Sequence, residues 1–190
     1  MFFTINMNVG FYTKFRNPAI ALILALICAF LPAQTIVIFS AVLLLGHLYA
    51  VSLEVTAIAF VMILLMCLLF FRFSPKDSYA LLLTPVLFML KIPYASPIIM
   101  GLVGNPASAV AVGCGTVIYY LIDYVKVNSA VLSNMEPESA LQEFARIVDG
   151  LIDNKEMWLL VAAFALTVIV VYPVSYTHLD VYKRQAVPGA

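Results

Sequence analysis

Residues 98–124 read IIMGLVGNPASAVAVGCGTVIYYLIDY. The stretch is apolar enough for lipid yet rich in small side chains. Asn105-Pro106 divides it, and Pro106 suits the first turn of a new helix because its missing N–H has no partner to lose there. From that point Ala107, Ala111 and Gly115 recur every four residues, with Ala109 and Gly113 in the same spacing. Four-residue spacing of small residues puts them on one helical face, where a second backbone can approach closely inside a membrane. The pattern predicts that 106–124 is the most tightly packed helix of a multi-span protein, with Ala107, Ala111, Gly113 and Gly115 at the contact.

Composition points the same way. The 190 residues are 64% hydrophobic and 11% charged, with mean hydropathy +1.06. Soluble domains are roughly half apolar and a quarter charged. Hydrocarbon-length apolar runs recur between Ala19 and Tyr172, so the expected fold is all-α: a polytopic membrane helical bundle with short and broken helices. Net charge is zero and the body has no basic run, which argues against a nucleic-acid partner. Cys28, Cys67 and Cys114 each stand alone in apolar surroundings, with no metal-ligand spacing. No cofactor and no metal site is expected.

Outward from the central stretch, 1–17 mixes aromatic and polar residues and reads as an interfacial segment or a tail. Its beginning does not have the form of a cleavable signal peptide. Lys14 and Arg16 precede the first apolar run and place this end in the cytoplasm by the positive-inside rule. The run from Ala19 to Tyr49 contains Pro32. Either two short helices form a hairpin there, or Pro32 kinks one tilted span. The first piece alone reaches only about 20 Å, short of the hydrocarbon core. The kinked span is the expectation, because it returns the chain to the cytoplasm at Arg72 and Lys76.

Ser74-Pro75-Lys76-Asp77 signals a helix start, with Ser74 as cap. The following segment is interrupted at Thr84-Pro85, then by Lys91, Pro93, Pro97 and Gly104. Residues 79–104 are thus one broken span or a re-entrant hairpin, an arrangement in which transporters often place binding sites. After a polar stretch, 137–152 carries one apolar stripe and an acidic face containing Glu138, Glu143 and Asp149. Six acidic and two basic residues between 136 and 156 leave a net charge of −4. Helices lying on anionic membranes are usually basic, so this one is expected to dock on its own bundle or on a soluble partner. Asp153 or Asn154 caps a last apolar helix whose run of about 14 residues from Leu159 is short for a crossing. The organisation is therefore 1–17, a membrane region 18–126, a loop with the amphipathic helix at 127–156, a final helix 157–173, and a tail 174–190.

The tail contains VSYTHLDVYKRQ at 174–185. It resembles the translation of two transposase-adapter ends joined head to head. The twelve residues can be encoded by a string that is its own reverse complement except at its outermost bases. That resemblance implies non-native sequence. The natural chain would then stop near Tyr172 or Pro173 and continue differently in the gene product, and His178, Asp180, Lys183 and Arg184 take part in no site.

Candidate chemistry is sparse. His47 stands alone near a helix end, with Glu54 seven residues on. Lys91 and Asp123 are ionisable groups close to membrane depth, where charges tend to pair or to function. A packed ion pair is expected if they face each other, with a proton or substrate role as the alternative. Zinc-protease, P-loop and nucleophile-elbow motifs are missing, and Ser96 and Ser108 lack a basic partner at recognisable spacing. The expectation is a protein that is not an enzyme. The short proline-interrupted segments of 17–124 resemble membrane subunits of bacterial energy-coupling-factor transporters, without the paired Ala-Arg coupling motifs. The resemblance is architectural and implies transport, with the lipid bilayer, other membrane subunits or a soluble protein as partners in a bacterial plasma membrane. A non-enzymatic scaffold recruiting a partner through 137–152 is the other reading.

Overall fold

A computed structural model describes residues 18–49, 53–132 and 140–186. These residues form eight helices, and no strand occurs among them. In chain order they are α1 (Pro18–Ala29), α2 (Ala33–Tyr49), α3 (Leu53–Phe73), α4 (Ser78–Met89), α5 (Ala95–Val103), α6 (Ser108–Leu132), α7 (Ala140–Ile152) and α8 (Lys155–Ala186). Three contain stretches long and apolar enough to cross a membrane: Val55–Phe73, Ser108–Asn128 and Lys155–Ser175.

Helix α6 is the axis of the bundle. Within its apolar stretch 61% is buried, against 28% for α3 and 17% for α8. It packs against α3, α4, α5 and α8. One apolar core gathers Phe70, Leu81, Ala111, Val112 and Val168 towards the end where α6 begins, here the lower end. The other gathers Leu48, Val55, Ile122, Val125 and Ile147 towards the upper end.

Helices α4 and α5 form an antiparallel hairpin too short to cross alone, at 12 and 9 residues. Of the two readings of 79–104, the structure has the hairpin. Helix α4 lies beside α6 and runs the same way. Asp77 meets Ser108, Thr84 faces Gly115 and Phe88 stacks on Tyr119, each pair separated by 31 residues. Helix α5 runs likewise with α8: Tyr94 meets Phe164 and Gly101 meets Val171, each 70 residues apart. Thr84-Pro85 does not interrupt α4, which continues through it. Pro85 removes the N–H that would bond to the Leu81 carbonyl, and Gly115 approaches that carbonyl so closely that a Cβ there would lie 3.1 Å from it.

The structure corrects three other expectations. Pro32 does not kink one span. The helix breaks at 30–32, and Gln34 Nε2 then donates to the Pro75 carbonyl at 3.0 Å, so the break lies at the lower end of the bundle. The ring of Pro32 cannot sit inside a continuous helix without clashing with the preceding turn. Ser74 does not cap α4: its hydroxyl donates to Asp77 at 2.6 Å, and the helix begins at Ser78. The last apolar helix is not short, because it starts at Lys155, where the Asn154 side chain accepts from the Met157 N–H at 3.0 Å. It also continues unbroken through 174–186.

Candidate functional site

The hairpin is held at two levels by polar side chains and at its tip by backbone hydrogen bonds and aromatic packing. At the lower end Asp77 Oδ2 accepts from Ser74 Oγ at 2.6 Å and from Ser108 Oγ at 2.8 Å. Ser108 Oγ in turn accepts from the Asn105 N–H at 2.9 Å. One carboxylate thus ties the α3–α4 turn to the α5–α6 turn. Gly104 sits inside this knot: a Cβ there would run into Ser108 Oγ and the Met100 carbonyl. In the middle, Thr84 and Ser96 are both fully buried and share a 2.6 Å hydrogen bond between α4 and α5. Thr84 also bonds to the Ala80 carbonyl at 2.7 Å. Unpaired, each hydroxyl would cost the full penalty of a polar group in an apolar interior.

At the upper end the hairpin turns at 90–94. Lys91 N–H bonds to the Phe88 carbonyl and Ile92 N–H to the Leu87 carbonyl, at 3.0 and 2.9 Å. This is a Schellman ending to α4, and its left-handed position is taken by Lys91 at φ 61°. Glycine normally occupies that position, because a Cβ there is strained. Beyond the turn, Tyr94 packs edge-on to Phe164, and Phe88 stacks on Tyr119 with ring centroids 4.4 Å apart.

Lys91 and Asp123 are brought together, as walls of a cavity of about 200 Å³ that Lys126, Tyr119 and Phe88 also line. Lys126 thus stands as a second lysine in the wall that holds Lys91 and Asp123. Sequence reasoning missed Lys126 and Tyr119. Their spacing from Asp123 (three and four residues on α6) places all three on one face, and that signal was legible.

The remaining candidates fall as follows. Ala111 is fully buried, and Gly113 and Gly115 are buried too. A Cβ at Gly115 would lie 2.8 Å from Thr84 Cβ, whereas one at Gly113 would meet Val161 at an ordinary 3.5 Å. Ala107 is exposed in the turn before α6 and makes no part of the packed face, because the helix starts at Ser108 rather than Pro106. Asp149 is exposed on α7, while Ile147 and Leu151 of that helix are buried in the upper core. Glu138 and the side chain of Glu143 lie outside the described residues. His47 is fully buried. Among the described residues no three His, Cys, Asp or Glu side chains gather as a metal site. Comparison with protein families, curated proteins and solved structures finds no match.

Proposed function

We propose that the chain is an integral membrane protein of the bacterial plasma membrane, its N-terminus cytoplasmic, serving as a transport-related membrane subunit. The observation that carries the transport reading is the α4–α5 hairpin. Two helices of half-membrane length lie among longer ones, joined across a buried seam by Thr84 and Ser96. Non-helical backbone at membrane depth needs cover from protein or from a water-lined cavity, and such broken elements are a common setting for translocated ligands. Membrane residence is supported by the apolar exteriors of α3 and α8. Leu64, Leu65 and Leu68 are exposed on one, Leu166, Ile169 and Val170 on the other. A soluble monomer rarely exposes so continuous an apolar surface.

The test is thiol accessibility in sealed vesicles, with Cys28, Cys67 and Cys114 first replaced by alanine. A transport seam must open during its cycle, so Ser96→Cys and Thr84→Cys should react slowly with a membrane-impermeant reagent added from one side. Complete protection from both sides would remove the transport reading.

A scaffold role is favoured by one observation: α7 docks through Ile147 and Leu151 and leaves Asp149 outward. Reversing the charges of Glu138, Glu143 and Asp149 should then release a bound soluble partner without loss of the membrane-embedded chain.

A further inference from the structure

We propose that the cavity at the hairpin tip binds a small apolar amino acid as its zwitterion, an inference that rests on the transport reading above and names its class of substrate. Lys91 holds the carboxylate, Asp123 holds the ammonium, and the side chain lies on the apolar wall. Three observations converge on this ligand.

The first is charge. Lys91 comes from the turn of the hairpin and Asp123 from α6, and both stand in the wall of one cavity. Lys126 lines it too but already has a partner, so a ligand meets one cation and one anion. Charges near membrane depth are costly unless an opposite charge answers them. A zwitterion answers both at once, through charge-assisted hydrogen bonds at its two ends. The negative side is the Asp123 side. Asp123 and Glu156 of α8 both act on Tyr119 through their charge, and Tyr119 also lines the cavity. An ammonium placed there has an aromatic ring beside the carboxylate.

The second is size. The cavity holds about 200 Å³, below the roughly 300 Å³ at which pockets for drug-sized ligands begin. That admits a molecule of a few heavy atoms. The rest of the wall is apolar, from Phe88, Met89 and Ile122. It suits a short hydrocarbon side chain, whereas a further polar group on the ligand would be buried there at a cost.

The third is the place of Lys91. It holds the left-handed position of the hairpin turn at φ 61°, where any side chain is strained. Strain of that kind is kept where the residue has work to do. The hairpin is also the element that carries the transport reading, so ligand and moving part meet at one point.

The experiment is equilibrium dialysis of the purified full chain in mild detergent against radiolabelled leucine. Two competitors each lack one charge: isoamylamine has no carboxylate and isocaproate no ammonium. Leucine should bind saturably, and each competitor about tenfold more weakly. Lys91→Gln should weaken leucine by about tenfold, the worth of one charge-assisted contact, and leave isoamylamine unchanged. Lys91→Gly, which relieves the strain and so should fold, should do the same. Asp123→Asn should weaken leucine to a similar degree and leave isocaproate unchanged. Equal losses for leucine and the single-charge competitors would overturn the site, as would the absence of saturable binding for glycine, alanine and leucine alike. Retention of phosphatidylethanolamine in place of leucine would assign the charge pattern to a lipid headgroup and overturn it too. The thiol test at positions 84 and 96 is separate. Protection from both sides with leucine still bound would strike transport and keep the pocket, whereas slow labelling without leucine binding would strike the pocket and keep transport.

Discussion

At the scale of single residues, two glycines with the same sequence spacing differ in what surrounds them. Gly115 lies so close to Thr84 and to the Leu81 carbonyl that a methyl group forces the α4 and α6 backbones apart. Gly113 has ordinary room beside Val161. Gly115→Ala should therefore destabilise by about 1–3 kcal/mol, the usual cost of overpacking. Gly113→Ala should be neutral or stabilise by up to about 1 kcal/mol through its better helix propensity. Thermal unfolding in detergent compares the two, and equal effects would sink the close-contact argument at Gly115. Ser108→Ala removes one of the two hydroxyls that Asp77 accepts. Its expected cost is about 1–2 kcal/mol, read in the same assay, with Ser108→Thr as the control that keeps the hydroxyl.

At the scale of elements, the hairpin depends on its neighbours for stability. Isolated helices of 12 and 9 residues are marginal, so α4 and α5 persist because α6 and α8 bury them. Thr84→Val leaves the fully buried Ser96 hydroxyl without its partner, so it should cost about 1–3 kcal/mol in thermal unfolding, whereas Gly101→Leu, which would drive a side chain into Val171, should release α5 from α8. Limited proteolysis at 90–107 reports that release, and resistance equal to the parent would count against the pairing. Helix α7 obeys a similar logic: Gly150 permits the Tyr124 ring to lie against its backbone, since a Cβ there would approach the ring to 2.7 Å.

At the scale of the whole molecule, a chain with this exterior should resist extraction by alkaline carbonate and partition with detergent. Appearance in the soluble fraction would overturn the bundle as a membrane structure. Within the part of α8 read as non-native sequence, Ser175 Oγ donates to the Leu102 carbonyl of α5 at 3.4 Å. Replacing 176–190 by an unrelated polar sequence should shift stability by no more than about 0.5 kcal/mol, the ordinary scale of surface changes. A larger loss in thermal unfolding would assign that segment a structural part.

Hydrophobic runs, proline breaks and the small-residue spacing were enough to determine helices, their approximate ends and the special status of 98–124, because these follow from local backbone chemistry and from what lipid tolerates. The same local rules marked Lys91 and Asp123 as costly and the stripe on 137–152 as apolar. What they could not reach were relations between distant parts: that Gly115 rather than Gly113 meets a backbone, that Pro32 lies at the end of the bundle, that Asp77 joins two turns, and that Lys126 completes a cavity with Lys91. Those depend on which helix faces which and at what register, a choice made by the packing of many side chains at once.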